Sequence, residues 1–214
     1  IRFLFDFLDN LKVDTVLTIL LYWFITSICV WLMRKSSKAF VFSLCCLAAC
    51  VVSFSVDIVQ HKQQQKIIVY SVPKQTAIDI FQGNKYQFIG DSILLENGFL
   101  RNFHLKPARI LNRVLPGADS LSAHFFEVDN KKIVLLDNSF DLKNISQKIS
   151  VDVLILSKNI RVDVSQLQQA FQFNQLVFDS SNPLWKIERW KKDCDSLQLR
   201  FHSVPQQGAF EMDL

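Results

Sequence analysis

Two long stretches without a charged residue dominate the hydrophobic pattern at the start of the chain. They cover the nineteen residues 15–33 and the eighteen residues 39–56. A bilayer core about 30 Å thick requires roughly 20 apolar residues of helix. Neither stretch has the polar stripe of a helix on a soluble domain, and the first is too long for the core of a cleavable signal peptide. The pattern predicts two transmembrane helices, at about residues 13–34 and 39–57.

The turn between the predicted helices is basic. It contains Arg34, Lys35 and Lys38, and short cytoplasmic loops of membrane proteins are rich in lysine and arginine. We therefore expect this turn in the cytoplasm and the chain after about residue 60 on the non-cytoplasmic side.

The stretch before the first apolar run is amphipathic. Residues 1–11 mix apolar side chains with Asp6, Asp9 and Asn10, which indicates a helix lying at the membrane interface or the end of a preceding unit. Because the sequence starts at Ile1 and the hairpin follows at once, we expect the chain to be the C-terminal part of a longer membrane protein.

The hydrophobic pattern changes after a polar linker at residues 61–66. Short alternating segments predict strands at 67–72, 76–82, 85–89, 122–128, 132–136, 151–156, 175–179, 197–202 and 209–212. Turns at Gly83-Asn84 and at residues 129–131 predict two hairpins. Helical spacing predicts helices within 92–115, bent near Pro107, and at 164–173 and 183–194.

This order of elements predicts an α+β protein. A membrane segment, residues 1–59, is followed by a soluble α/β domain, residues 60–214, which is long enough to bury a core of its own. The domain carries +3 of the net charge of +4, a mildly basic balance that does not by itself indicate nucleic-acid binding. Four of the five cysteines lie in the membrane runs, so that Cys194 has no partner for a disulfide within the domain.

Three segments resemble proteins of the ComEC type, the inner-membrane channels for DNA uptake in bacterial transformation. Residues 67–82 resemble the family's opening strand pair, and residues 151–159 the strand that leads to its histidine-pair metal motif. Residues 201–214 resemble its terminal hairpin, with a turn at Gly208-Ala209. The likeness lies in order and pattern over nearly the whole chain. It implies a metallo-β-lactamase-like domain with αββα-like layers, in the shortened, ligand-poor form of some family branches.

The resemblance also implies a location and partners. The protein would be a multi-pass protein of the bacterial inner (plasma) membrane, in contact with the lipid bilayer. Its expected partners are single-stranded or double-stranded DNA, the remaining membrane helices of the full-length protein and other competence machinery.

The metal ligands of a metallo-β-lactamase-like hydrolase are missing from the sequence. Such an enzyme holds two divalent ions with about five His and Asp side chains, because the metals activate water and hold the scissile phosphate. The four histidines, at positions 61, 104, 124 and 202, form no H-x-H motif. We therefore expect no catalytic residues, no metal site and no cofactor. The resemblance gives three positions of a degenerate site: Ser157 and Lys158, where the family has its histidine pair, and Asp91, where it has an acidic residue. Asp137 and Asp179, which stand in turns after predicted strands, complete the set of five.

These five positions have simpler interpretations as well. Loops at strand ends hold the sites of α/β proteins, which makes Asp137, Ser157 and Asp179 the first candidates for mutation. Carboxylates at turns, however, usually cap the backbone. His124 and His202 alternate with apolar neighbours in predicted strands and are expected either to be structural or to point to solvent. A pairing of Cys194 with a histidine is a remote alternative.

One predicted helix combines basic and aromatic residues, a pattern that suits single-stranded DNA. The candidate DNA-binding residues are Trp185, Lys186, Arg189, Lys191 and Lys192. The simpler interpretation is a solvated amphipathic helix whose tryptophans, Trp185 and Trp190, pack on the sheet. A second basic face is predicted at Lys106, Arg109 and Arg113.

Three functional hypotheses follow. The first is a non-catalytic module that binds or guides DNA, or braces a channel. The second is a metal-dependent nuclease or phosphodiesterase with ligands that the sequence does not reveal. The third is an unrelated membrane-tethered structural protein.

Overall fold

The computed structural model describes residues 15–96, 98–117, 124–140 and 147–214. The chain forms two compact units. The first contains the described residues through Gln63 together with Ile110–Arg113, and the second contains Gln64–Arg109 and Val114–Leu214. The interfacial helix expected at residues 1–11 lies outside the described residues.

Regular elements follow one another closely along the described chain. The helices are α1 Thr15–Arg34, α2 Ser37–Lys62, α3 Lys106–Leu111, α4 Val164–Ala170, α5 Leu184–Ser196 and α6 Val204–Gln207. The strands are β1 Gln65–Val69, β2 Ala77–Gln82, β3 Lys85–Gly90, β4 Leu115–Pro116, β5 Phe125–Val128, β6 Lys131–Leu136, β7 Ile149–Leu156, β8 Phe171–Phe178, β9 Phe201–Ser203 and β10 Phe210–Asp213. A 3-10 turn, Ser92–Leu94, and a π-helical turn, Arg101–Leu105, precede α3.

The two apolar helices α1 and α2 pack against each other. Trp31 and Phe40 approach with ring centroids 5.2 Å apart, and Ser27 Oγ donates to the carbonyl of Ala39 at 2.8 Å. Both helices are long and apolar enough to cross a membrane, over Thr15–Arg34 and Ser37–Val56. The helix α2 continues to Lys62 and β1 begins at Gln65, so the linker predicted at residues 61–66 is wrong in length and consists of two residues.

The first sheet has the strand order β10-β1-β2-β3-β4. Its neighbours are antiparallel except for the short parallel pair β3 and β4. The predicted hairpin of β2 and β3 turns at Gly83, whose φ of +62° glycine adopts without steric cost.

The second sheet has the order β5-β6-β7-β8-β9. An antiparallel hairpin, β5 and β6, turns at Asp129 and Asn130, both with positive φ as a type I′ turn requires. The strands from β6 to β9 are parallel. Their carboxyl ends therefore meet at one edge, where a parallel sheet places its functional loops.

The two sheets pack face to face between two helical layers. Ile67 and Ile80 of the first sheet share a buried cluster with Val153 and Ile155 of the second. On the outer face of the first sheet, Phe81 and Phe88 pack against Leu94 and Leu105. On the outer face of the second sheet, Leu154 and Phe178 pack against the helical residues Leu167, Ile187 and Trp190. The domain is thus a helix–sheet–sheet–helix sandwich, and the α+β class predicted for the chain is confirmed.

The region between β3 and β4 is less regular than the predicted helix at 92–115. Proline lacks an amide hydrogen, and its ring clashes with the carbonyl four residues earlier. Pro107 is the second residue of α3 and follows the π-helical turn Arg101–Leu105 after Lys106, and this turn widens the backbone before the proline.

Two predicted boundaries near the second sheet are wrong. Helix α4 ends at Ala170, because Phe171 already pairs with Ile149 of β7. Helix α5 runs to Ser196, and β9 begins only at Phe201. The segment between them contains Gln198 with a φ of +54°, which cannot continue a strand.

Candidate functional site

Hydrogen bonds link three of the five degenerate-site positions at the carboxyl ends of β6, β7 and β8, and a fourth, Asp91 after β3, joins them through Thr76. We call this region the strand-end edge. Asp137 follows β6, Lys158 follows β7 and Asp179 follows β8. The Lys158 ammonium lies 3.3 Å from Asp137 Oδ2, and the Lys158 amide donates to Ser181 Oγ at 2.6 Å. Ser181 Oγ in turn donates to Asp179 Oδ1 at 2.6 Å.

Thr76 connects this network to the first sheet. Its hydroxyl donates to Asp179 Oδ2 at 2.7 Å, and its amide donates to Asp91 Oδ2 at 2.8 Å. Asp91 directly follows β3. The sequence did not single out Thr76, whose only signal is a hydroxyl just before a buried strand.

Asp179 is fully buried among donors. It accepts hydrogen bonds from the Thr76 and Ser181 hydroxyls, the Ser181 amide and the Asn182 side chain. Burial raises the pKa of Asp179 to about 7, although the hydrogen bonds from Ser181 and Thr76 lower it, and the nearby carboxylate of Asp91 raises it further. This carboxyl group therefore holds two loops together and does not face solvent.

Asp137 has the opposite electrostatic balance. Burial disfavours its charge, but hydrogen bonds from Ser139 and the Lys158 ammonium outweigh burial and lower the pKa of Asp137. His124 lies beside it, with Nδ1 4.0 Å from Asp137 Oδ1 and 3.1 Å from the Leu135 carbonyl. Asp137 is thus an ionised carboxylate whose neighbouring cation is an ammonium group of the protein itself.

Ser157 and Cys194 are both buried and inaccessible to a substrate. Ser157 is completely buried, and its amide donates to the Leu136 carbonyl at 2.9 Å. Cys194 lies in the apolar cluster under α5, where burial raises the pKa of its thiol to about 12. A buried, protonated thiol is unreactive, which argues against a pairing of Cys194 with a histidine.

The donor set at the strand-end edge does not fit a two-metal centre. Hydroxyl, amide and ammonium donors occupy the oxygens of Asp137 and Asp179, and His124 is the histidine beside them. His202 is bonded elsewhere, to the Gly208 carbonyl. Within residues 15–96, 98–117, 124–140 and 147–214, no group of three His, Cys, Asp or Glu side chains could hold a metal ion.

A buried charge cluster lies on the outer face of the first sheet. Arg109 Nε and Nη2 donate to the two oxygens of Asp79 at 2.8 and 2.9 Å, and the Tyr70 hydroxyl donates to the same carboxylate at 2.8 Å. The Arg109 guanidinium lies 3.9 Å from the ring centre of Tyr86. Burial raises the pKa of Tyr70, so its hydroxyl remains a donor.

The predicted basic face at Lys106, Arg109 and Arg113 is therefore wrong for Arg109, which is 8% exposed. The signal that could have revealed this lies in β2. There Asp79 interrupts an apolar strand, and a buried carboxylate requires a cationic partner.

Two of the candidate DNA-binding residues, Lys186 and Arg189, line an open cleft of about 330 Å³. We call it the basic cleft; its lining is Arg161, Val162, Asp163, Gln166, Lys186 and Arg189. Lys186 Nζ donates to the carbonyl and side-chain oxygens of Asn159 at 3.0 and 2.9 Å. Arg189 contacts Asp163 at 3.0 Å.

The cleft has an excess of positive charge. Burial, together with the neighbouring charges of Arg161 and Arg189, lowers the pKa of Lys186. Its hydrogen-bond partners are neutral, so three cations face the single carboxylate of Asp163. The sequence did not identify Arg161, because the loop after β7 gave no sign that it would meet α5.

The other candidates on α5 lie apart from the cleft. Lys191 contacts Glu188 and Gln206, and Lys192 is exposed. Trp190 is buried, with its indole N–H donating to the Val162 carbonyl at 3.0 Å, whereas Trp185 is 68% exposed. Packing on the sheet therefore explains Trp190 and leaves Trp185 available to solvent.

Comparison with known proteins gives one family. The model of the ComEC C-terminal domain matches residues 67–214, which include every strand of the sandwich except the start of β1. No curated protein and no solved structure is significantly similar to the chain. The resemblance noted in the sequence is thereby confirmed, and the chain belongs to the ComEC family.

Proposed function

We propose that the domain is a non-catalytic part of a DNA-uptake channel that contacts DNA through the basic cleft. Membership of the ComEC family indicates involvement in competence DNA uptake. The observation that carries the non-catalytic role is the strand-end edge. There, the oxygens of Asp137 and Asp179 are engaged by the protein's own donors.

The layering of the domain supports a metallo-β-lactamase-like origin. Two facing sheets between helical layers, with polar loops at one edge, form the αββα arrangement that the family resemblance implies. We infer that the edge keeps the framework of such a site while Lys158 neutralises Asp137 in place of a metal ion. In this account the edge stabilises the fold.

Charge and an exposed aromatic ring support contact with single-stranded DNA. Cations follow the phosphates while bases stack on aromatic side chains. Trp185 precedes Arg189 by four residues on α5, and side chains at this spacing are neighbours on a helix surface. A base stacked on Trp185 would therefore place its phosphate near the cleft of Arg161, Lys186 and Arg189.

Location follows from the family and the helices. The family and the two apolar helices indicate a membrane protein. We propose that it resides in the bacterial inner membrane, with the domain on the non-cytoplasmic side. There it would act with the remaining membrane helices of the full-length protein and with other competence machinery.

One experiment separates the non-catalytic proposal from the nuclease alternative. The purified full chain, in detergent, is incubated with zinc or manganese and single-stranded DNA, and both bound metal and DNA length are measured. We expect intact DNA and no stoichiometric metal. Stoichiometric metal with DNA cleavage that Asp137→Asn abolishes would establish the nuclease and exclude our proposal.

A second experiment tests the basic cleft. Binding of single-stranded DNA should weaken as the salt concentration rises. The variant Arg161→Gln/Lys186→Gln/Arg189→Gln should reduce the slope of log K against log[salt] by about 2, because three cations are lost. Lys131→Gln/Lys132→Gln/Arg200→Gln is the matched control, because it removes the same charge elsewhere on the domain. Absence of binding at low salt would favour a purely structural protein, and equal losses in both variants would show that the cleft is not the site.

A further inference from the structure

The segment between β3 and β4 presents large apolar side chains to solvent. Phe99 is 75% exposed, Phe103 63%, Ile93 56% and Leu95 47%. The rings of Phe99 and Phe103 stack with centroids 5.5 Å apart. We call these four residues the exposed apolar surface.

The same segment is anchored to the domain by its other side. Leu94 and Leu105 are buried against the first sheet, in one cluster with Phe81 and Phe88. The exposed rings are therefore held outward by a packed framework. A concentration of large exposed apolar side chains in one segment, with two of the rings stacked, is unusual on a folded domain and indicates an interaction site.

The charged residues near the exposed apolar surface are mainly basic. Arg101 and Lys106 follow it in a stretch, residues 98–117, that contains no aspartate or glutamate, and the exposed Glu96 lies between Leu95 and Phe99. Phenylalanine beside arginine and lysine is the composition with which a helix lies at the surface of an anionic bilayer, since the rings enter the acyl boundary and the cations meet the headgroups.

We propose that the exposed apolar surface docks the domain onto the bilayer of its own membrane, through anionic phospholipid headgroups. The chain itself supplies the proximity. The apolar span of α2 ends at Val56, and residues 57–64 separate it from β1. Six residues of helix rise about 9 Å and the extended step from Lys62 to Gln65 adds at most about 11 Å, so that β1 begins within about 20 Å of the span. Neither the ComEC membership nor the DNA-uptake proposal is needed for this inference.

Docking in this way would also orient the domain. The exposed apolar surface belongs to the helical layer over the first sheet, whereas α5 and the basic cleft belong to the layer over the second sheet. With the first layer on the lipid, the cleft would face away from the membrane, open to a strand of DNA.

Quenching of a single fluorophore tests the docking. The full chain, with its native cysteines replaced by alanine, carries Phe103→Cys or Phe99→Cys labelled with an environment-sensitive dye. It is reconstituted in vesicles of phosphatidylcholine and phosphatidylglycerol. We expect quenching by lipid-borne nitroxides and protection from aqueous iodide at both positions, weakened when phosphatidylglycerol is left out.

Trp185→Cys is the matched control, since it is an exposed aromatic residue on the opposite layer. Its label should be quenched by iodide and not by lipid nitroxides. Iodide quenching of the labels at 99 and 103 would overturn the proposal, and so would their protection from both quenchers, which would show that protein covers the surface. Lipid quenching at all three positions would show unspecific adsorption and would also refute the docking. Phe99 and Phe103 are exposed, so their replacement leaves the packed core intact.

Discussion

Asp79 shows how a single buried charge shapes its surroundings. It lies in the middle of β2 with no exposed surface, and Arg109, Tyr70 and Tyr86 are gathered around it. A buried carboxylate is tolerated when charge-assisted hydrogen bonds replace its hydration. This cluster fixes α3 on the first sheet and so holds the segment that carries the exposed apolar surface.

The first prediction concerns this ion pair. Arg109→Met leaves the Asp79 carboxylate buried without its cation and should lower the free energy of unfolding by about 3–5 kcal/mol. Arg189→Gln, which breaks a pair whose side chains are more than half exposed, should cost less than about 1 kcal/mol. Urea denaturation followed by tryptophan fluorescence checks both, and similar losses would contradict the structural role of Asp79.

The second prediction concerns pH. Because the folded-state pKa of Asp179 is raised to about 7 from 3.8, the native state binds more protons than the unfolded state between these values. The contribution of Asp179 to stability is therefore greatest below pH 4 and falls as the pH rises to 7, by up to about 4 kcal/mol. Asp179→Asn should flatten this slope in denaturation experiments at a series of pH values.

Asp137 provides the contrast for the pH experiment. Its pKa is lowered, so its stabilising contribution is present above the ordinary carboxylate pKa and is lost as the pH falls below it. Asp137→Asn should change the free energy of unfolding below about pH 4 and should leave its dependence on pH between 4 and 7 intact. A slope that persists in Asp179→Asn would show that another group is responsible.

At the scale of elements, helix α5 carries one buried and one exposed tryptophan. Trp190 stacks on Phe178 with centroids 5.4 Å apart and has 1% of its surface exposed, while Trp185 is largely exposed. The helical period explains both exposures. Ile187, Trp190 and Cys194 share the face that meets the sheet, and Trp185 does not belong to this buried set.

The third prediction uses these two tryptophans. Trp190→Ala should destabilise the domain by about 3–5 kcal/mol, while Trp185→Ala should alter stability by less than about 0.5 kcal/mol. Trp185→Ala should instead weaken binding of single-stranded DNA by about 1 kcal/mol or more. Unchanged DNA affinity in Trp185→Ala would remove this residue from the DNA interface.

Elements with strong local signals could be predicted from the sequence. The turns at Gly83 and at Asp129-Asn130 defined both hairpins, and apolarity on all sides defined α1 and α2. Boundaries set by tertiary pairing could not be predicted. Phe171 fits the helical spacing of α4, but its pairing with Ile149 makes it the first residue of β8.

At the scale of the molecule, the strand-end edge and the basic cleft share one loop. Residues 157–163 follow β7. Lys158 contacts Asp137 at the edge, Asn159 accepts from Lys186, and Asp163 pairs with Arg189 at the cleft. The loop thus ties a stabilising network to the surface for which we propose DNA contact.

The sequence could predict part of this arrangement. Residues such as Asp137, Lys158 and Asp179 stand at strand ends, and the rule for parallel sheets places strand ends together. Partners from distant segments, such as Thr76 for Asp179 and Arg161 for Lys186, depend on how the two sheets and α5 pack. The spacing of residues along the sequence therefore does not reveal these contacts.

The most direct test of the central claim is the transformation frequency of the natural host carrying variants of this protein. We expect Arg161→Gln/Lys186→Gln/Arg189→Gln to lower the frequency by about tenfold or more, because the cleft loses its charge. Asp137→Asn/Lys158→Gln, which alters the strand-end edge, should leave it near wild type at equal membrane levels of the protein. Normal transformation in the cleft variant, with loss in the edge variant, would contradict a role through DNA contact and point to chemistry at the edge.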